Sequence, residues 1–393
     1  MENRFTHLIL VLMMISSSFT TNAASFILDG IKYSVIDTEK KEVEVAPYSV
    51  DGKSNYRGNI VIPATVVNEN VTYTVTTIGE KAFYESYSLT SVTFPGTLKE
   101  IKRWCFYKCR GVKSFTLPES IEIVSEAAFH TCSGLTEMVL PSYLTTIGPM
   151  AFRDCSNITK INIPASVTTL VVDAFNGCNG LTAINVDPAN TKCKSIEGVL
   201  FSKGGSGLWR YPAAKADRSY VIPSDVSEIG IKAFENCIYL EEIELPASVK
   251  TINTLSFNNC TMLNKINVYA EIPPICKITA GSASFTNVDK DKCFIYVPKD
   301  KKDIYTAASG WSDFNNIIEF TPTKLNIENK DGLNIEIQNN VITVRGNIDN
   351  LPVRVISLLG KVVYSGVSNN ITLDSPGIYI LTVGENKFKC YVK

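Results

Sequence analysis

Between about Val75 and Val268 the chain repeats one arrangement of apolar and polar positions with a step of 23 residues. Phe83, Phe106, Phe129, Phe152 and Phe175 keep that step, as do Pro95, Pro118, Pro141 and Pro164. Cys109, Cys132, Cys155 and Cys178 follow the same beat, which resumes after an interruption with Pro223, Phe234, Cys237, Pro246, Phe257 and Cys260. Three residue types sharing one step point to a solenoid, because no single unit is long enough to bury its own apolar side chains.

Written once, the unit is A-F-x-x-C-x-x-L-x-x-I-x-L-P-x-x-L/V-x-x-I-G, as in Ala151-Phe152, Cys155, Ile158, Ile161, Ile163-Pro164, Val167 and Leu170. Ile161-x-Ile163 alternates as a short strand does, and the proline stops it. Gly79, Gly148 and Gly230 predict a second turn in which a residue without Cβ takes positive φ. Stacked coils, about 4.8 Å apart by strand spacing, bury the apolar positions in one column. A helical-repeat solenoid is the alternative, and regularly spaced prolines with β-branched runs oppose it.

These residues resemble the leucine-rich repeat family, in particular the 23-residue class of BspA-like surface proteins of Bacteroidetes. The resemblance implies a mainly β fold: a right-handed leucine-rich repeat solenoid with a parallel sheet along one face, terminal caps and a small β-sandwich behind it. ILDGIKYSVI, EVEVAPY and GNIVIPATV in the N-terminal flank resemble the entry of that family, giving a β cap over 25–75 and a solenoid over 76–268. IPPIC and KCFIYVPKDKKDIYTAASGWSDFNNIIE resemble its closing segment, over 269–320. Such caps cover the open strand edges and bare core of the terminal coils. The gap from Cys178 to Cys237 is one period plus 36 residues, and EGVLFSKGGSGLWRYP within it predicts a hairpin insertion at about 193–222.

From about Thr321 the beat is gone. LNIEIQ, VITVRG, VRVISL, KVVYSG, ITL, IYILTV and FKCYVK predict the strands of a small β-sandwich over 321–393. VRVISLLGKVVYSG and PGIYILTVGENKFKCYVK resemble the C-terminal sorting domain of the type IX secretion system, which implies a role in export. A plain immunoglobulin-like module is the other reading. At the opposite end, Arg4, the apolar run Leu8–Ile15 and the small residues up to Ala24 have the layout of a cleaved secretory signal peptide over 1–24. The run is too short to span a bilayer, so no transmembrane span is expected in the mature chain, which is expected to be secreted or on the outer cell surface. With 38 basic against 39 acidic side chains, nothing in the charge balance calls for nucleic acid.

Reactive groups are sparse. The cysteine slot lies among positions that face the column, where cysteine packs as a small hydrophobe. A line of sulfurs does not converge as a tetrahedral zinc site needs, so no metal is expected. Disulfides between neighbouring coils are within reach by distance, in a chain whose export route favours oxidation, but pairing two would pull both from the column, so buried free thiols are expected. His130 is expected at a solvent-facing turn, because the equivalent positions hold Tyr107, Arg153, Asn176, Glu235 and Asn258. Glu241, Glu242 and Glu244 read as a solvated edge. Gly204, Gly205 and Gly207 lack the Lys-Ser/Thr ending of a phosphate loop, and no cofactor is expected. Taken together, these features predict no enzyme.

Recognition is left to the outward strand positions Thr93, Thr116, Val139, Asn162, Asn185, Glu244 and Asn267, a small polar file suited to broad protein contact. By resemblance the chain is an adhesin-like protein contacting host or bacterial surface proteins. A glycan-binding module is the second class, with Trp209 and Tyr211 on the inserted hairpin as its candidates, unless those rings only pack the hairpin down.

Overall fold

The computed structural model describes residues 24–50, 53–279, 282–320, 327–328, 334–338, 341–345, 351–357, 362–368, 370–373, 377–384 and 386–392. The segment read as a signal peptide, apart from Ala24, lies outside them. Ser25–Leu28, Ile31–Asp37 and Glu42–Val45 form an antiparallel meander. Its last strand runs parallel to Val71–Ile78, which also pairs antiparallel with Thr65–Asn68. From there the chain coils, and two parallel ladders run along it rather than one. One is a line of separate parallel pairs: Gly58–Val61 with Leu89–Thr93, Ser114–Thr116 with Glu137–Val139, and Lys160–Ile163 with Ala183–Val186. The other consists of two-residue rungs: Glu100–Ile101, Ile123–Val124, Thr146–Ile147 and Thr169–Leu170. These rungs sit in the second half of each unit, where only the final isoleucine-type residue points inward, so alternation cannot reveal them.

Phe83, Phe106, Phe129, Phe152 and Phe175 stack in a column, with centroids 4.9, 5.2, 5.4 and 5.8 Å apart and ring planes within 6°. All five are buried. Beside them the thiols of Cys109, Cys132, Cys155 and Cys178 each donate to a phenylalanine carbonyl of the preceding coil at 3.0 Å. Cys260 does the same to the Phe234 carbonyl.

The turn carrying each ring departs from the glycine expectation. Gly79, Gly148 and Gly230 do not take positive φ. A Cβ on Gly79 would lie 2.7 Å from Val45 O, and one on Gly148 2.8 Å from Glu126 N, so close backbone approach is what they serve. Left-handed backbone falls instead two residues before the ring, at Lys81, Trp104, Ala127, Met150, Lys232 and Leu255, with φ from 51° to 59°. It recurs two residues after, at Glu85, Lys108, Thr131, Asp154, Asn236 and Asn259. Such conformations strain residues with a Cβ. Here the strain is offset, because the amides of these residues donate to carbonyls of the next coil, as Lys81 to Arg103, Trp104 to Glu126, Lys108 to His130 and Thr131 to Arg153, except at Met150, whose amide donates to Asp173 Oδ1 at 3.1 Å.

In the insertion, Cys193–Ile196, Val199–Ser202 and Gly207–Arg210 form an antiparallel meander. Gly207–Arg210 then pairs parallel with Glu228–Ile229, so the hairpin's second strand is itself a rung. The ring column restarts at Tyr211, stacked on Phe234 at 5.1 Å and followed by Phe257 and Phe285. Around it, Ser219–Val221, Glu242–Leu245, Lys265–Val268, Phe294–Pro298 and Asn316–Phe320 make one parallel sheet. An asparagine file crosses the interruption: Asn236 donates to Asn179, Asn259 to Asn236 and Asn287 to Asn259, at 2.7 to 2.9 Å. At the end, buried Trp311 donates to Pro274 O at 2.8 Å and Tyr305 to Ala270 O at 2.6 Å, closing the last coils.

Past 326 the described strands form two four-stranded antiparallel sheets, Ile327–Glu328, Asn334–Gln338, Val341–Arg345 and Asn370–Thr372 against Val353–Ser357, Val362–Gly366, Gly377–Val383 and Asn386–Val392. Ile335, Ile342 and Ile371 from one share a core with Val353, Val355 and Leu381 from the other.

Phe152→Ala empties a slot between two stacked rings and is expected to cost about 3–5 kcal/mol. Thr116→Ala on the outer face is expected within about 0.5 kcal/mol of wild type. Urea unfolding of the two variants checks the order, and comparable losses would contradict the column.

Candidate functional site

The outward file is built by strand alternation. In Ser114–Thr116 and Glu137–Val139 the middle residue, Phe115 or Met138, is buried and its neighbours are exposed. Thr93, Thr116, Val139 and Asn162 are exposed, and Asn185, Glu244 and Asn267 are half-buried. Thr116 and Val139 are partners in register, as are Asn162 and Asn185, and Glu244 and Asn267. The asparagines pair, with Asn185 Nδ2 donating to Asn162 Oδ1 at 2.8 Å.

Between Asn185 and Glu244 the file is interrupted by the insertion, where Gly198 O accepts from the Ile184 amide. Beyond it the file continues further than the sequence reading carried it. Tyr296 is in register with Asn267, and Ile318 with Tyr296, while Phe294 neighbours Lys265. Phe294 and Ile318 are exposed, so this end of the face is apolar and aromatic. Those residues lie outside the 23-residue beat, which is why counting missed them; their alternation in FIYVP was the available signal.

The hairpin aromatics part company. Tyr211 is 1 % exposed, occupying the ring slot one step before Phe234, and its hydroxyl donates to Asp217 at 3.1 Å. As a glycan contact it is therefore corrected: its ring faces the column. Trp209 is half-buried against the first core. Arg210 between them is buried at the junction of the two cores, with Lys232 O and Asn176 Oδ1 as acceptors and no partner for Nε. Desolvation pulls its pKa down, against the opposing charge of Glu235.

His130 is also not the solvent-facing residue that its variable slot predicts. Its side chain is 15 % exposed, parallel to the Trp104 ring at 6.2 Å and edge-on to Tyr107 at 5.2 Å. Nδ1 lies 2.6 Å from Thr131 Oγ1. The slot forms a side file in which Tyr84 and Tyr107 stack at 4.8 Å, so varied identities reflect varied packing.

Every cysteine is free and buried. Desolvation raises the thiols of Cys132, Cys155 and Cys178, and takes Cys193 to about 11 and Cys276 to about 12, which withholds the thiolate a nucleophile needs. Glu242 is engaged by Lys265 at 3.0 Å and Asn267 at 2.7 Å, and Glu241 by Arg218. Among the described residues no group of three His, Cys, Asp or Glu side chains is placed to hold a metal. No described helix is long and apolar enough to cross a membrane.

Parallel rungs with ring and thiol files inside and polar residues outside define a leucine-rich repeat solenoid. The BspA type leucine-rich repeat region matches in six copies over residues 65–203 and 216–307, more than half of the chain, which therefore belongs to that family. Repeats of this kind serve in general as binding scaffolds. Against curated protein sequences there is no match. Among solved structures, the pneumococcal vaccine antigen PcpA is similar at 20% identity, covering 76% of this chain and 99% of that one with a TM-score of 0.49. A leucine-rich repeat protein of Bacteroides ovatus follows at 20% identity, 76% and 89% coverage and 0.45. A leucine rich cell surface protein of Faecalibacterium prausnitzii gives 22%, 76% and 96%, and 0.42. The likeness to these structures concerns the fold.

A thiol reagent is expected to label the native protein scarcely, and all 11 cysteines after denaturation. Full native labelling would contradict the buried files. Burial also holds the His130 imidazolium pKa below its ordinary 6.5. Its stability contribution is therefore complete above that value and is lost as pH falls through the window beneath it, where the unfolded chain binds the extra proton. Thermal melts of His130→Gln are expected to show a shallower acid decline there than wild type.

Proposed function

We propose that the chain is an exported, non-catalytic protein of the outer cell surface or medium, making adhesin-like contacts with host or bacterial surface proteins. What supports this reading is the file Thr116, Val139, Asn162 and Asn185, open on register-locked rungs and extended by Glu244, Asn267 and Tyr296 toward an apolar end. A broad array of small polar groups ending in aromatic side chains suits a protein partner better than a small-molecule cleft.

In this reading residues 1–24 are a cleaved signal peptide, 25–75 and 269–320 cap the solenoid over 76–268 with its insertion at about 193–222, and 321–393 direct export as a type IX sorting domain. The two-sheet form of the tail and its run VRVISLLGKVVYSG support the last assignment. Glycan binding at the hairpin loses its footing with Tyr211 in the core.

Labelled protein carrying Thr116→Arg, Asn162→Arg and Asn185→Arg together is expected to bind intact host or bacterial cells about tenfold more weakly, with an unchanged melting temperature. Undiminished binding would overturn the assignment of this face. Mass spectrometry of protein from native cells and medium is expected to show a chain beginning near Ser25. The same masses show whether 321–393 has been removed.

A further inference from the structure

We propose that the turn edge of the solenoid between the Glu80 and Trp104 coils is a binding site for a neutral hexopyranose. This edge is separate from the sheet face and independent of the protein-contact reading. A recess of about 310 Å³ is lined by Glu80, Lys81, Tyr84, Arg103 and Trp104. Around it lies an aromatic cluster that the outward strand rows do not contain. Tyr84 and Tyr107 stack at 4.8 Å, and Trp104 meets Tyr107 edge-on at 5.1 Å. His130 lies parallel to the indole at 6.2 Å on the side of the following coil, while Glu80, Lys81 and Tyr84 line the recess from the preceding coil and Arg103 from the indole's own. The indole is thus backed by an imidazole and borders the recess. Its backbone is pinned, since Trp104 sits at φ 59° with its amide bound to Glu126 O at 3.1 Å. A held, half-buried ring is a platform with little left to order on binding.

The polar lining selects the ligand class. Glu80 and Arg103 form an ion pair at 2.8 Å made through Nε, with both side chains well exposed. That places a carboxylate acceptor beside a guanidinium rich in donors, which suits vicinal hydroxyls that both give and take hydrogen bonds. A pyranose has such hydroxyls on its rim and an apolar C–H face to lay on an indole. A second recess of about 360 Å³, lined by Glu80, Glu100, Lys102, Arg103, Ser125 and Glu126, shares the same pair. Across the two, three carboxylates face three cationic groups, so neither an anion nor a cation finds a net attraction. A cationic ligand also meets competition, because Lys108 already lies over the Tyr107 ring at 4.8 Å and Lys81 over Tyr84 at 6.0 Å. The adjoining second recess gives room for a further sugar unit.

The test uses the full chain and the methyl glycosides of glucose, galactose, mannose and N-acetylglucosamine, read by saturation-transfer NMR and tryptophan fluorescence. At least one glycoside is expected to bind with a Kd of order 1 mM, as a single stacked ring with a few hydrogen bonds allows. Trp104→Gly, which suits the left-handed backbone, should abolish that binding with the circular dichroism spectrum retained. Glu80→Gln, which preserves shape, should weaken it several-fold, while Trp209→Phe leaves it unchanged. Absence of binding by all four glycosides overturns the proposal, as does binding that survives Trp104→Gly. Choline binding with the same dependence on Trp104 also overturns it, by assigning the recess to a cation.

Discussion

The structure rests on the backbone hydrogen bonds that pass from each coil to the next at the ring-bearing turn. Lys81, Trp104, Ala127, Lys232 and Leu255 hold left-handed backbone that disfavours a side chain, and each turns its amide onto a carbonyl one coil later. No turn can satisfy itself, because its partner belongs to its neighbour. Once the spacing is fixed in this way, equivalent side chains fall into files. Phenylalanines stack on phenylalanines, and thiols reach back to the carbonyls of the preceding coil. Stability then belongs to interfaces between coils, which explains why the chain needs special pieces where the files begin, break and end.

The insertion shows what a break demands. The first core runs from Ile31 to Leu200 and the second from Val199 to Ile317. At their meeting the ring position is filled by Tyr211, and Arg210 takes its guanidinium into the interior, where Asn176 and the Lys232 carbonyl accept from it. A buried cation is costly unless it is well partnered. Glu235 supplies opposite charge nearby and is itself held by Lys232 at 2.9 Å and Asn258 at 3.2 Å. A small polar network thus joins two apolar columns whose ends would otherwise meet imperfectly.

How much of this could be read in the chain depended on how many residues spoke for each feature. The ring, thiol and proline files were legible because three residue types keep one step, and the tail's strands because alternation persists over several residues in each. The second ladder was not, since a two-residue rung contributes one inward side chain and has no alternation to show. Left-handed turns were hidden because lysine, tryptophan and leucine occupy them as freely as glycine does; what permits them is a bond to another coil, invisible to local propensity. Tyr211 stands 23 residues before Phe234, so the count held its position while the change from phenylalanine to tyrosine concealed it. His130 misled in the opposite direction: variation along its file signals differing neighbours, here Trp104 and Tyr107, and not exposure.

The asparagine file carries a consequence for how such a protein can change length. Asn236 reaches across the insertion to Asn179 as though the intervening residues were absent, and Asn259 and Asn287 continue the line. A primary amide gives and receives in one group, so each member fits any other. Among the coils of Asn236, Asn259 and Asn287 a whole unit can therefore be added or lost with this joint still matched, and reach there becomes a quantity that gene rearrangement can adjust in even increments.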